Sequence, residues 1–254
     1  MDDPGLLDLL HAVADAVVEV LGGIADWGVA GTREGQYKSD LAADAVAVER
    51  LLSGGVGVLS EETGLHEPGR EVVVVVDPLD GSTNASRGVS WYATSLCAVD
   101  GDGPRAALVV DLVHGTRFEA VRGGGARRDG SPIVPSAEMV LADALVGLNG
   151  LPDRHLGWGQ FRALGAAALD LCAVASGRLD AYLDCADDAH GPWDYLGGLL
   201  VCTEAGATVV DAFDRNLVVL DHAARRTPVA AATRQLADAL QQARVAAVGD
   251  SPVP

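Results

Sequence analysis

The residues best suited to chemistry lie in one stretch, Asp77-Pro78-Leu79-Asp80-Gly81-Ser82-Thr83-Asn84. Two carboxylates stand beside Gly81, Ser82 and Thr83, whose small side chains leave backbone N–H groups accessible. Carboxylates hold hard divalent cations and clustered amides cradle anions, so the pairing suggests metal-assisted phosphate chemistry. Phosphate monoesters resist hydrolysis partly because their charge repels a nucleophile. A divalent ion offsets this by neutralising the phosphate, acidifying a bound water and stabilising the leaving oxygen. Mg²⁺ takes oxygen ligands and keeps several waters, so a few converging carboxylates suffice. Glu61, Asp77 and Asp80 can supply three oxygens, and the Leu79 carbonyl a fourth.

The run Val72 to Val76 is β-branched throughout and reads as a buried strand. Pro78 lacks a ladder donor and biases Asp77 towards extended geometry, so the strand is expected to stop at Asp77-Pro78. Val56 to Leu59 repeats the arrangement, running as a short strand straight into Ser60-Glu61-Glu62-Thr63. Upstream, apolar spacing predicts a helix over Gly5–Ile24 and a second, capped by Ser39 or Asp40, through about Leu52. Asp44 falls in the first turns of that second helix, near its positive end. Residues 26–36 hold three glycines and read as a mobile loop ending at Tyr37-Lys38.

Strands are expected at 92–99, 106–112, 117–121 and 126–128, separated by glycine turns and forming an antiparallel meander. Ile133–Asp143 reads as a connection between halves. Beyond it, strands at 144–148, 179–183, 208–210, 217–220 and 228–231 alternate with helices over Phe161–Ser176, Trp193–Ala205 and Gln235–Ala246. Such alternation implies a layered α/β domain. The tail Val248–Pro254 reads as frayed.

Gly191-Pro192-Trp193-Asp194 opens one of these helices. A carboxylate there suits a cap or dipole partner, and it also suits a metal; spacing alone leaves both open. Gly165-Ala166-Ala167-Ala168 would let a ligand approach closely. Asp184, at the end of the 179–183 strand, is a candidate acceptor for substrate hydroxyls. The six histidines share no ligand spacing, and none is assigned a role.

The chain has 254 residues, 49% of them apolar, with a net charge of −18. A basic nucleic-acid surface is therefore not expected. Cys97, Cys172, Cys185 and Cys202 form no C-x-x-C pair and read as buried reduced thiols. Met1-Asp2-Asp3-Pro4 lacks the basic region of a signal peptide, and no apolar run approaches the ~20 residues of a membrane span. A soluble, cytoplasmic protein without membrane partners is expected.

The set Lys38, Asp44, Ser60-Glu61-Glu62, Asp77 to Asn84 and Trp193-Asp194 resembles the inositol monophosphatase family over nearly the whole chain. That family belongs to the lithium-sensitive, Mg²⁺-dependent phosphatases, which also include fructose-1,6-bisphosphatases and 3′-phosphoadenosine phosphatases. The resemblance implies a layered α-β-α-β-α sandwich, often a homodimer. Residues 1–138 would form an α+β half with most metal ligands, and 139–254 an α/β half with Asp194 and the substrate pocket. It implies one Mg²⁺ on Glu61, Asp77 and the Leu79 carbonyl, a second on Asp77, Asp80 and Asp194, and a weaker third reached by Glu61 through water. Ser82, where the family usually has Thr, would orient and deprotonate the attacking water with Glu61, supported by Asp44. The Gly81 and Ser82 amides would hold the phosphate, and Lys38 would approach from its loop. Ala167 and Asp184 would line the substrate pocket.

Three positions depart from the family pattern: Ala85 for Phe, Leu41 for Thr, and Asp184 for a Glu that contacts sugar hydroxyls. Thr83 stands where the phosphoadenosine branch carries Lys or Arg, which disfavours that branch. The implied activity is Mg²⁺-dependent hydrolysis of a small polyol or sugar phosphate, with myo-inositol 1-phosphate leading. Histidinol phosphate, fructose 1,6-bisphosphate or a nucleoside monophosphate are alternatives on the same machinery. A catalytically silent binding or regulatory homologue is the alternative from another class.

Overall fold

The computed structural model describes residues 1–31 and 35–249. Residues 32–34 of the expected loop and 250–254 of the expected tail lie outside the described residues. Helix α1 (Asp3–Gly22) and helix α2 (Lys38–Ser53) come first. The cap of α2 differs from expectation: Asp40 sits in its first turn and accepts the Tyr37 backbone N–H at 2.9 Å, so Tyr37 is the cap position. The flanks of the preceding loop are paired, with Lys38 N donating to Gly28 O and Ala30 N to Gln36 O.

Strands β1 (Gly57–Ser60), β2 (Gly64–His66), β3 (Val73–Asp80), β4 (Ala93–Asp100), β5 (Gly103–Asp111), β6 (Arg117–Val121), β7 (Gly125–Arg128) and β8 (Ser131–Pro132) form the first sheet. Their order is β2-β1-β3-β4-β5-β6-β7-β8, antiparallel except for the parallel β1–β3 pair. The expected meander is present. The short helix α3 (Ser82–Arg87) leads from β3 towards β4.

The second sheet has order β10-β9-β11-β13-β12. Its strands are β9 (Leu145–Asn149), β10 (Gln160–Arg162), β11 (Ala181–Asp184), β12 (Thr208–Asp211) and β13 (Pro228–Ala231). Helices α4 (Ala167–Ala175), α5 (Pro192–Ala205) and α6 (Arg234–Gly249) complete the chain. Two expectations fail here. The helix expected from Phe161 begins only at Ala167: β10 occupies 160–162, and Gly165 at φ +91° with extended Ala166 breaks the path. Leu217–Leu220 forms no strand. The carbonyls of Asn216 and Leu217 are taken by Arg226 Nε and Tyr195 Oη instead of a ladder.

The alternation along β3 builds the layers. Val74 and Val76 pack with Leu6, Leu10, Val13, Val17 and Leu51 of α1 and α2. Val73 and Val75 point the other way, into a core shared with α4, α5 and Tyr182 of β11. The outer face of the second sheet buries Val146, Leu183 and Val229 against Leu236 and Leu240 of α6. The five layers are therefore α, β, α, β, α, as the resemblance implies. The close fit of the middle layer depends on glycine. A Cβ at Gly198 would lie 2.5 Å from the Leu171 Cβ, so α5 and α4 approach where no side chain intervenes.

Candidate active site

Strand β3 does not end at Asp77-Pro78 but runs on to Asp80. Asp77 is registered with Ser95 and Asp80 with Ala93, so three steps on β3 face two on β4. Pro78 sits inside this bulge, where a missing ladder donor costs little, and its carbonyl accepts the Thr94 hydroxyl at 2.9 Å. The bulge brings both aspartates to one end of the sheet, almost fully buried. Asp77 Oδ1 accepts the Leu79 N–H at 2.9 Å, which fixes that turn. Gly81 then takes φ +84°, and a Cβ there would lie 3.1 Å from the Gly165 and Trp91 carbonyl oxygens. Asn84 Nδ2 donates to the Trp91 carbonyl nearby in the chain and to the Leu164 carbonyl ahead of α4, each at 2.8 Å, which ties the turn to the later segment.

Asp80 reaches across to α4, whose cap position, Ala166, has no side-chain acceptor. Its Oδ2 accepts the Ala168 N–H at 2.7 Å, so a carboxylate from another element caps this helix. Asp194 occupies the first turn of α5 and accepts the Gly191 N–H at 2.7 Å, which bears out the capping reading. The same carboxylate converges with Asp77 and Asp80: one oxygen from each lies within 4.8 Å of the other two.

This convergence is electrostatically unfavourable without a cation. Among the described residues no Lys or Arg pairs with Asp77 or Asp80. Burial first, then the charges of Glu61, Asp80 and Asp194, hold the Asp77 carboxyl well above the ordinary range. Burial and Asp194 push Asp80 up to about 7. Glu61, directly after β1, is pushed up to about 8 by burial and by Asp194, Glu62 and Asp40. Buried oxygen donors that repel one another are the donor set a hard divalent ion requires, so these residues fit Mg²⁺.

Two clefts of about 320 and 310 Å³ flank the acids and share Glu61, Trp193 and Arg225. The first also contains Ser82, Glu62, Asp40 and His222; the second contains Asn149, His190, Gly191 and Asp194. Two histidines are therefore at the site, against the expectation of none. His222 Nε2 bonds the Glu61 backbone carbonyl at 2.9 Å and its ring packs 4.9 Å from Trp193. His190 Nδ1 lies 3.4 Å from Asp194 Oδ2 and its Nε2 bonds Tyr182 Oη at 2.8 Å. The four-residue spacing of His190 and Asp194 was a usable signal. His222 and Arg225 arrive from a loop more than 160 residues beyond Glu61 and carry none.

The other expected residues divide. Gly81 and Ser82 sit at the turn, with Ser82 in the first cleft. The Asp44 carboxylate is buried but hydrogen-bonds Ser60 Oγ rather than Ser82, because α2 lies along β1 and places the two side by side. Burial raises its pKa. Lys38 does not approach the clefts: it opens α2, half exposed, with its ammonium on Asp26. Ala167 is buried at the start of α4, beside Asp80's partner Ala168. Asp184 is fully buried. Its Oδ1 accepts Asn149 Nδ2 and the Ala186 N–H, while Oδ2 has no hydrogen-bond partner. Asn149 and His190 stand between it and the cleft space. All four cysteines are free, three of them buried. No helix among the described residues is long and apolar enough to cross a membrane.

Known proteins resemble this chain in sequence and fold. A sequence model of the inositol monophosphatase family matches residues 38–248. A Thermococcus kodakarensis protein named fructose-1,6-bisphosphatase/inositol-1-monophosphatase is 34% identical over 201 residues, 77% of each chain. The Nus factor SuhB of Vibrio cholerae is 33% identical over 189 residues, 68% of this chain and 70% of that one. The solved inositol monophosphatase of Anabaena superimposes with a TM-score of 0.78 at 27% identity, covering 95% of both chains. With the family model and the sequence relatives in agreement, this chain belongs to the inositol monophosphatase family.

Proposed function

We propose that the chain, a phosphoric monoester hydrolase by its family, hydrolyses a small polyol or sugar phosphate with Mg²⁺, and that myo-inositol 1-phosphate is the leading substrate. The observation that carries this reading is the convergence of Asp77, Asp80 and Asp194 within 4.8 Å. Those three carboxylates, with Glu61 and the Leu79 carbonyl, are the groups that would hold two to three Mg²⁺. The bound ions would neutralise the phosphate and acidify a water. Glu61, held as a carboxylate at that site, would accept a proton from that water. Ser82 orients the water from the first cleft, and the Gly81 and Ser82 amides hold phosphate oxygens. The phosphoryl group passes directly to water with no covalent intermediate.

Asp44 supports this machinery through Ser60, whose Oγ also accepts the Glu62 and Thr63 N–H groups at 3.0 and 3.2 Å. Lys38 retains only the place the resemblance gives it, since its ammonium is engaged elsewhere. Ala167 and Asp184 shape the substrate pocket, Asp184 by holding Asn149 in the wall of the second cleft. The names of the Thermococcus and Anabaena relatives support the substrate class. We place the protein in the cytoplasm as a homodimer, which sedimentation and cell fractionation would check.

The test is phosphate release across polyol, sugar, amino-alcohol and nucleoside phosphates, with and without Mg²⁺. Mg²⁺-dependent release from myo-inositol 1-phosphate, inhibited by lithium, is expected. Release from no phosphomonoester would contradict the reading.

A further inference from the structure

Helix α4 contains one acid, Asp170, that no step of the phosphatase chemistry uses. All nine residues of α4 are buried, and the others are alanine, leucine, valine and cysteine. A carboxyl buried in such company is costly unless it is hydrogen-bonded, and leucine would suit both the helix and the core better. Asp170 Oδ1 accepts the Trp91 indole Nε1–H at 3.0 Å, from 79 residues earlier in the chain. Trp91 in turn stands behind the turn that follows β3. Its carbonyl oxygen accepts Asn84 Nδ2 at 2.8 Å and would lie 3.1 Å from a Cβ at Gly81. Between them the chain folds back on itself, with Val89 N donating to the Asn84 carbonyl at 2.9 Å and Trp91 N to the Val89 carbonyl at 2.8 Å.

Three hydrogen bonds therefore join this region to α4 and the residues leading into it. Asp80 accepts the Ala168 N–H, Asn84 donates to the Leu164 carbonyl, and Trp91 donates to Asp170. The first two start from the turn itself. The third reaches it through an indole ring, whose partly buried body packs on the central core. Without an acceptor the indole N–H would be left unpaired against that core, and the cheapest relief is movement of Trp91 and of the backbone that rests on it. We propose that Asp170 is a positioning residue: through Trp91 it fixes the turn whose Gly81 and Ser82 amides face the phosphate. Asp170 lines neither cleft and touches no reacting group. Its role rests on the phosphatase reading above and adds a support behind the phosphate site.

Inorganic phosphate binding at saturating Mg²⁺, and KM for myo-inositol 1-phosphate, would be compared in the parent, Asp170→Leu, Asp170→Asn and Trp91→Phe. Asp170→Leu keeps the volume and deletes the acceptor, whereas Asp170→Asn keeps an acceptor. Asp170→Leu should weaken phosphate binding about tenfold and raise KM in step, less than the roughly 100-fold that a misplacement of about 1 Å can cost. Trp91→Phe deletes the donor from the other side and should match it, so it serves alone if the Leu variant does not fold. Asp170→Asn should bind phosphate as the parent does. Mg²⁺ binding should be unchanged in all three. Parent-like phosphate binding in Asp170→Leu, or an Asn variant as impaired as the Leu variant, would overturn the assignment. So would a matching loss of Mg²⁺ affinity, which would trace the effect to Asp80. If the parent releases no phosphate from any phosphomonoester, the phosphatase reading fails separately. Hydrogen exchange over residues 81–91 of the Mg²⁺-free protein still decides the positioning. Faster exchange in Asp170→Leu but not in Asp170→Asn supports it; equal exchange in parent and both variants refutes it.

Discussion

His222 donates its Nε2 hydrogen to the backbone carbonyl of Glu61 at 2.9 Å, tying a loop of the second half to the end of β1. A carbonyl only accepts, so this bond fixes the tautomer. The ring also packs on Trp193, next to Asp194 in sequence. One imidazole therefore spans the two halves that supply the acids.

Replacing His222 with Phe keeps the ring on Trp193 and deletes the donor. Mg²⁺ binding by His222→Phe, followed by calorimetry, should weaken about tenfold, the scale seen when partners of metal-binding groups are removed. His222→Gln, which can still donate, should recover part of the loss. Unaltered Mg²⁺ binding in His222→Phe would show that the bond merely braces the loop.

Asp80 serves α4 as well as the acid cluster. Asp80→Asn keeps an acceptor for the Ala168 N–H, whereas Asp80→Ala removes it. In Mg²⁺-free denaturant titrations the Asn variant should be the more stable of the two by about 1 kcal/mol, the worth of a helix cap. Both should lose Mg²⁺-dependent phosphate release. Equal stabilities would mean that the cap contributes nothing.

The acid cluster sets a pH dependence. Glu61, Asp77 and Asp80 all have pKa values raised above those of the unfolded chain, Glu61 to about 8 and Asp80 to about 7. A raised carboxyl favours the folded state while protonated, and that contribution is lost as pH rises through the folded pKa. The Mg²⁺-free protein should therefore melt at lower temperature as pH goes from about 5 to about 8. Mg²⁺ should restore more stability at the upper end, because binding requires the deprotonated carboxylates. A Mg²⁺-free melting temperature that rises across this range would contradict the assignment.

Gly198 separates packing from helix propensity. Alanine normally stabilises a helix interior by about 1 kcal/mol relative to glycine. Here the new Cβ would meet Leu171 Cβ at 2.5 Å. Gly198→Ala should instead cost about 1–3 kcal/mol, as overpacking does, read from thermal melts. A stabilised variant would show that α4 and α5 have room to part.

Much of this site is legible in the chain because its acids follow local patterns. A β-branched strand announces Asp77, the Val56–Leu59 strand announces Glu61, and Pro192 announces the helix start at Asp194. The residues alone read as a layered α/β domain; the five layers come from the family resemblance, and in the structure from the two buried faces of β3. What stays hidden depends on long-range contact. Asp44 faces Ser60 only because α2 lies along β1, and Lys38 turns to Asp26 across a loop. His222 and Arg225 sit in a segment whose carbonyls are bound by side chains rather than by a strand partner, so no periodicity marks it. Asp184 reads as a strand-end acceptor for substrate hydroxyls, and nothing in its local sequence announces its burial. Its burial comes from Asn149 on the neighbouring β9 and from Arg244 of α6, which donates to its carbonyl.

The central claim is that Asp77 and the acids converging on it hold the Mg²⁺ that makes this chain a phosphatase. The most direct measurement is Mg²⁺-dependent phosphate release from myo-inositol 1-phosphate by the parent protein and by Asp77→Asn, with Mg²⁺ binding followed in parallel. Asp77→Asn should retain the fold, bind Mg²⁺ more weakly and lose about 10³-fold or more in rate, corresponding to several kcal/mol of transition-state stabilisation. Undiminished Mg²⁺-dependent turnover in Asp77→Asn would contradict the account.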